Sequence, residues 1–403
     1  MEEGSPIGEE ELNSDFAGIK TEKKKEFKKK IIIVGVSCAV LLLIILIIIL
    51  IVSSNNSKKE DESYGKDLLG KIECVYNIIL PKKSINLLGE EFENNFISSI
   101  EINGKKINYT KYYTFDQTGN HTVIFNICEQ FISIDKMFRN ISELISIKFN
   151  TEKNIKIESM ESLFEGCSSL SNFEIIGFDT TEVKSLKKLF YNCSSLSSIE
   201  NIEKLTTNKV TDMSYMFSYT PINNFSPKSF LINSVINMSH MFDNCLSLSN
   251  IEFPEINTNN LKDMSLMFKS CESLTSINLD NFNTSQVENM QGLFQNCLSL
   301  RTIGIITFDT SKVTDLSYMF QNCEELREID LTNFNTINVK NMSHMFEYCN
   351  LLSYILTTSF KTIMLLICHI CLLHVRNSNL QMLQILIQIM SNIFHICSKI
   401  VCH

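Results

Sequence analysis

The chain has 403 residues, 44% of them apolar and 20% charged, with 13 Gly, 5 Pro and no Trp. That composition excludes a wholly disordered chain and a Gly- or Pro-rich fibre. A net charge of −9, from 36 basic and 45 acidic residues, supplies no basic face for a nucleic acid.

Residues 1–30 carry seven lysines between Lys20 and Lys30 and read as a cytoplasmic tail. Residues 31–52 come next, 22 positions without a charge. As a helix they would extend about 33 Å, enough for a hydrocarbon core of about 30 Å. A cleaved signal peptide would have a shorter apolar core and a small-residue cleavage site, and neither is visible. The lysine excess places the N-terminus in the cytoplasm. The expectation is a single-pass signal-anchor in the plasma membrane, touching the lipid bilayer through 31–52, with residues 53 onward at the cell surface. Residues 53–64 read as a polar linker. Asn-x-Ser/Thr triplets stand at Asn55, Asn108, Asn120, Asn140, Asn192, Asn237, Asn283 and Asn341, with a further one at Asn224 compromised by Pro227. They are compatible with export and glycosylation, although many arise by chance in so Asn- and Ser-rich a chain.

Residues 65–133 hold three β-rich apolar runs (Ile72 to Leu80, Ile97 to Ile107, His121 to Ile127), broken at Asn103-Gly104 and Gly119-Asn120. They predict a small β domain that caps the first repeat of the next segment. Cys74 and Cys128 both lie in it, on the oxidising side, and are the candidate disulfide pair.

From 134 to 353 the chain repeats. Phe recurs at 138, 164, 190, 217, 242, 268, 294, 320 and 346, in steps of 26 apart from one 27 and one 25. Seven of these Phe residues have Cys three positions on; Ile141 and Thr220 fill that slot in the other two. Leu274, Ile277 and Leu279 end in an alternating pattern that suits a short strand. Met264, Met267, Phe268 and Cys271 sit at i, i+3, i+4 and i+7, the spacing of one helix face. Asp212, Asn237, Asp263, Asn289, Asp315 and Asn341 precede that stripe where an N-cap belongs. The expectation is an α/β repeat solenoid, leucine-rich-repeat-like, with a strand and a short capped helix per turn and about nine turns.

Runs such as NFNTSQVENMQGLFQNC (281–297) and FDTSKVTDLSYMFQNC (308–323) resemble the repeats of BspA-like leucine-rich-repeat surface proteins. The resemblance covers about residues 134–353. It implies a cell-surface protein engaged in adhesion, with proteins or glycans on other cells or matrix as partners.

Helices in a stack sit about 8–10 Å apart, too far for disulfides between successive cysteines, so the Cys ladder reads as buried thiols. The Asp/Asn ladder lacks the dense spacing of a calcium loop. His240 and His344 fall in the slot that Tyr215 and Tyr318 fill elsewhere, too far apart for a catalytic dyad. No nucleophile elbow, phosphate loop or carboxylate pair stands out, so no enzyme and no cofactor is expected. Positions between the apolar strand residues would line up as polar rows: Ser171, Asn172 and Glu174; Ser197, Ser198 and Glu200; Ser249, Asn250 and Glu252; Thr275, Ser276 and Asn278; Arg327, Glu328 and Asp330. Arg301 and Arg327 form the one basic pair there. This face is either the binding surface of an adhesive ectodomain or the solvated sheet of a passive coat or spacer protein.

In residues 354–403 the pattern breaks. The segment has no Asp or Glu, yet holds four of the 14 Cys and four of the seven His. Cys368, His369, Cys371 and His374 resemble zinc ligands, and Ile363 to Val375 is too short to span a bilayer. A third account joins the third base of each codon to the first two of the next. Across Met364–Val375 the slipped codons permit V-x-x-M-S-Y-M-F-x-x-C, one period after Val339. From Met390 they permit Val again, then S-Y-M-F-x-N-C ending across Ile400 and Val401. The tail thus reads as further repeat out of frame, with the slip near 354–360.

Overall fold

Alternation in β1 (Gly70–Ile78) buries Ile72, Cys74, Tyr76 and Ile78 on one face, as a strand with one covered side requires. In the computed structural model the described residues are 68–129, 133–227, 230–253 and 257–357. The expected cytoplasmic tail, the span 31–52, the linker with Asn55, and residues 358–403 lie outside them. Among the described residues no helix is long and apolar enough to cross a membrane.

β2 (Ser84–Asn86), β3 (Ile97–Ile102), β4 (Lys105–Asn108), β5 (Tyr112–Thr114) and β6 (Gly119–Ile127) come next, then β7 (Leu144–Lys156) and β8 (Asn172–Asp179). Six of the eight make one sheet in the order β4-β3-β6-β1-β7-β8, and β2 pairs with β5. Asn103 and Gly104, both at positive φ (49° and 80°), turn β3 into β4, the two-residue bend that Asn-Gly favours. β7 is antiparallel to β1 but parallel to β8. The meander therefore passes into the repeat stack through one continuous sheet.

The coil after β8 has no strand, and from the following coil on each adds a short one: β9 (Asn224–Phe225), β10 (Asn250–Ile251), β11 (Ser276–Asn278), β12 (Thr302–Gly304), β13 (Glu328–Asp330) and β14 (Tyr354–Leu356). Pairing is parallel and in step with the period, as in Ser276 with Thr302 and Ile329 with Ile355. The Asp/Asn column bridges eight more times, from Ser133–Ser159 to Asp315–Asn341. The architecture is a β-solenoid of about eight turns.

The expected helix in each turn is absent, so the α/β reading is corrected. Its place is taken by consecutive β-bends. Two residues four apart are left-handed in every coil, among them Tyr215 and Tyr219 (φ 58° and 61°), Gly292 and Asn296 (56° and 61°), and Tyr318 and Asn322 (both 60°). Isolated left-handed residues end a right-handed helix rather than continue it. The hydrogen bonds divide accordingly. Tyr215, Phe217 and Tyr219 donate their N–H groups to Ser239, Met241 and Asp243 on the next coil at 3.0, 2.9 and 2.9 Å. Met216, Ser218 and Thr220 donate three residues back, to Met213, Tyr215 and Phe217. Half of the segment's donors thus go to a neighbouring coil, which an i→i−4 ladder would not allow. The one helix among the described residues is the 3-10 helix Glu200–Lys204.

The apolar stripe is buried as the spacing required, since Met264, Met267, Phe268 and Cys271 are all inaccessible to solvent. Phe rings stack coil on coil from Phe138 to Phe346, with centroids 5.4 to 6.0 Å apart and planes within 18°. A second buried column, Thr207, Thr258, Thr284 and Thr310, donates its hydroxyls to carbonyls of the next coil at 2.6 to 3.0 Å.

Candidate functional site

The Asp/Asn residues act locally as expected, although no helix succeeds them. Asp212, Asn237, Asp263, Asn289, Asp315 and Asn341 each accept, through Oδ1, the N–H two residues on at 2.8 to 3.1 Å. They cap a bend, and no cluster of metal-ligating side chains occurs among the described residues.

The coil spacing of under 6 Å removes the distance argument against disulfides in the Cys ladder, yet all nine described cysteines are free thiols. Each ladder thiol donates to the Phe carbonyl of the preceding coil, as Cys297 does to Phe268 at 3.0 Å and Cys323 to Phe294 at 3.2 Å. Burial pushes the Cys167, Cys245, Cys297 and Cys349 thiols up to about 12, because a thiolate there would lose its hydration. Cys74 and Cys128 are not brought together. Cys74 lies opposite Val123, five positions from Cys128, or roughly 17 Å along the strand. Cys128 donates instead to the Phe96 carbonyl at 3.3 Å.

His240 stacks on Tyr215 with centroids 4.2 Å apart, and its Nδ1 lies 2.8 Å from the buried Asp243 carboxylate, which Lys269 also approaches. His344 repeats the arrangement with Tyr318 and Glu347. Both are rungs of ladders along the bends. Of the glycosylation candidates, Asn108, Asn120, Asn140, Asn192 and Asn283 are exposed. Asn237 and Asn341 are half-buried, and Asn341 donates its amide to Asp315 at 3.3 Å.

The outward strand face assembles most of the expected rows. Ser171, Asn172, Ser197, Ser198, Ser249, Asn250 and Glu252 are exposed on it, as are Thr275, Ser276, Asn278, Arg301, Arg327 and Glu328; Asp330 is half-buried. Arg301 pairs with Glu325 at 3.4 Å. Glu174 sits between Lys148 (3.1 Å) and Lys204 (3.7 Å). The hydrogen bond from Lys148, with the nearby charge of Lys204, holds its carboxyl below the usual carboxylate range. Glu200 leaves its row, because it opens the 3-10 helix.

There the sheet is interrupted, as it also is between β10 and β11 and between β12 and β13. No strand pairing links residues 197–199 to β9, and a cleft of about 530 Å³ opens between them. Ile199, Ile202 and Pro227 form its buried floor. Ser197, Ser198, Glu203, Asn223, Asn224 and Ser226 form its walls. Of these nine lining residues the row pattern held only Ser197 and Ser198 and missed the other seven. The irregular 27- and 25-residue Phe steps were the signal that could have pointed to this coil.

These features define a β-solenoid repeat protein with a polar outer sheet face. The family described as "Mycoplasma protein of unknown function, DUF285" matches residues 132–253, 228–303 and 262–362. The chain belongs to that family. No curated protein and no solved structure matches.

Proposed function

We propose that this chain is a membrane-anchored cell-surface protein, akin to the BspA-like adhesins, whose repeat ectodomain binds macromolecules through the outward strand face. The observation that carries the reading is the register of that face. Exposed side chains such as Asn224 and Asn250, or Ser276 and Thr302, recur one coil apart along the stack, which is how solenoids present extended binding surfaces. Residues 31–52 supply the anchor in this reading, and the lysines before them set the orientation. Proteins or glycans of other cells or matrix are the partners.

The test expresses the full chain on cells and measures adherence to host cells and matrix proteins. A control chain has the outward residues of the rows permuted among themselves. Adherence above that control, lost when intact cells are treated with protease, is the expected result. Adherence equal to the control favours a passive coat, and repeats that survive protease on intact cells sink the surface assignment.

A further inference from the structure

The repeat length fails at one place in the described stack. The strand centre and the apolar residue that opens the next bend are ten positions apart at Phe173–Val183, Ile277–Val287 and Ile303–Val313, but eleven apart at Ile199–Val210. The next coil is one residue short, with Phe217 and Ile222 five apart where Phe242 and Leu248 are six. The extra residue is taken up by the 3-10 helix Glu200–Lys204, which carries the chain out of the sheet and opens the cleft beside β9.

We propose that this cleft is a binding site for a neutral saccharide of one or two hexose-sized units, a proposal that rests on the adhesive reading above and names its ligand class. Its volume of about 530 Å³ lies within the range of small-molecule sites. Each sugar hydroxyl both donates and accepts, and the Ser hydroxyls and Asn amides of the walls do the same from single side chains. Among the described residues the lining contains no cation and includes Glu203, which favours a neutral ligand over an anionic one. The Ile199, Ile202 and Pro227 floor offers apolar surface to the C–H side of a ring. Two wall groups are held from the next coil before any ligand arrives. Asn250 donates to Asn224 Oδ1 at 2.9 Å, and Ser226 donates to Glu252 at 2.8 Å. Fixing polar groups in advance lowers the ordering cost of binding.

The test uses the full chain in a detergent without a sugar headgroup, with ligand-detected NMR as the readout. The probes are the methyl glycosides of glucose, galactose and mannose, lactose, chitobiose, sialyllactose as an acidic control, and a Gly-Ser-Gly peptide. At least one neutral sugar is expected to bind saturably. Asn224→Ala and Ser198→Phe should each weaken that binding at least tenfold, and Lys340→Phe, exposed beside the Asp/Asn column several coils away and outside the rows, should leave it unchanged. All three variants must unfold at the parent's temperature; if Ser198→Phe does not, Asn224→Ala decides alone. No saturable neutral sugar, binding indifferent to Asn224→Ala, or preference for sialyllactose or the peptide overturns the proposal. Adherence that persists without sugar binding refutes the cleft alone. Sugar binding by a chain no more adherent than its permuted control refutes the adhesive reading alone.

Discussion

At the scale of single residues, the stack is held by side chains whose partners are their own equivalents one coil away. Phe268 lies between Phe242 and Phe294, both 5.7 Å away and nearly parallel, and it is fully buried. Phe268→Ala should therefore cost about 3–5 kcal/mol, the range for removing a buried aromatic side chain. Phe268→Leu should cost clearly less, because it keeps most of the volume. Urea unfolding of the full chain measures both, and a loss below about 1 kcal/mol for the alanine variant would mean that the ring column is not the core. The neighbouring thiols obey the same limit on space. Cys, Thr220 and Ile141 share a slot that demands little polarity, and burial rather than chemistry explains the cysteines.

At the scale of the element, the repeat is a place where two structures share one hydrophobic pattern. Residues at i, i+3, i+4 and i+7 point inward from a helix, and here they point inward from two successive bends. The distinction lies in the residues four apart that adopt positive φ. Asn140, Asn192, Asn244, Asn296 and Asn322 occupy one such column, with Gly166 at φ 75°, and Asn and Gly are the residues that tolerate it. That column was legible in the sequence as a run of Asn, but the dominant 3.6-residue period outweighed it. The two readings predict opposite signs for one substitution. In a helix Asn296→Ala would stabilise; in this bend it should destabilise by about 1–2 kcal/mol, Asn296→Val by more, and Asn296→Gly by little. Thermal unfolding of the three variants decides between them. Asn296→Ala more stable than the parent would restore the helical account.

At the scale of the whole molecule, regularity makes the fold and irregularity makes the candidate site. Along the bends each in-register coil gives its neighbour the same hydrogen bonds and the same buried rings, so stability accumulates by nearest-neighbour contact. The coil with one extra residue cannot do this along its whole length and leaves a cleft instead. The C-terminal end of the repeat obeys the same logic. β14 still pairs in phase with β13 through Tyr354–Leu356, so the in-frame repeat persists that far. We propose that a frame slip just beyond it produces the apolar, acid-free text of the tail. Sequencing the nucleic acid should show repeat codons in the shifted frame across Met364–Val375 and Met390–Val401; a shifted frame without them returns the tail to its zinc and membrane readings.

The 26-residue period, the identity of the buried residues, the bend-capping Asp/Asn column and the Asn-Gly hairpin between β3 and β4 were all determined by the sequence alone, because each depends on residues close in the chain or on a strict repeat. The alternation in β1 belongs with them. Tertiary structure decided three further things. It decided that the stripe bends instead of coiling, because half of its N–H groups find carbonyls 24 to 26 residues away, a partner no local propensity can anticipate. It kept Cys74 and Cys128 apart, because strand register sets their separation. It also turned a one-residue change in spacing into a polar cleft, because only the neighbouring coils, held at their own register, show where the displaced chain leaves a space.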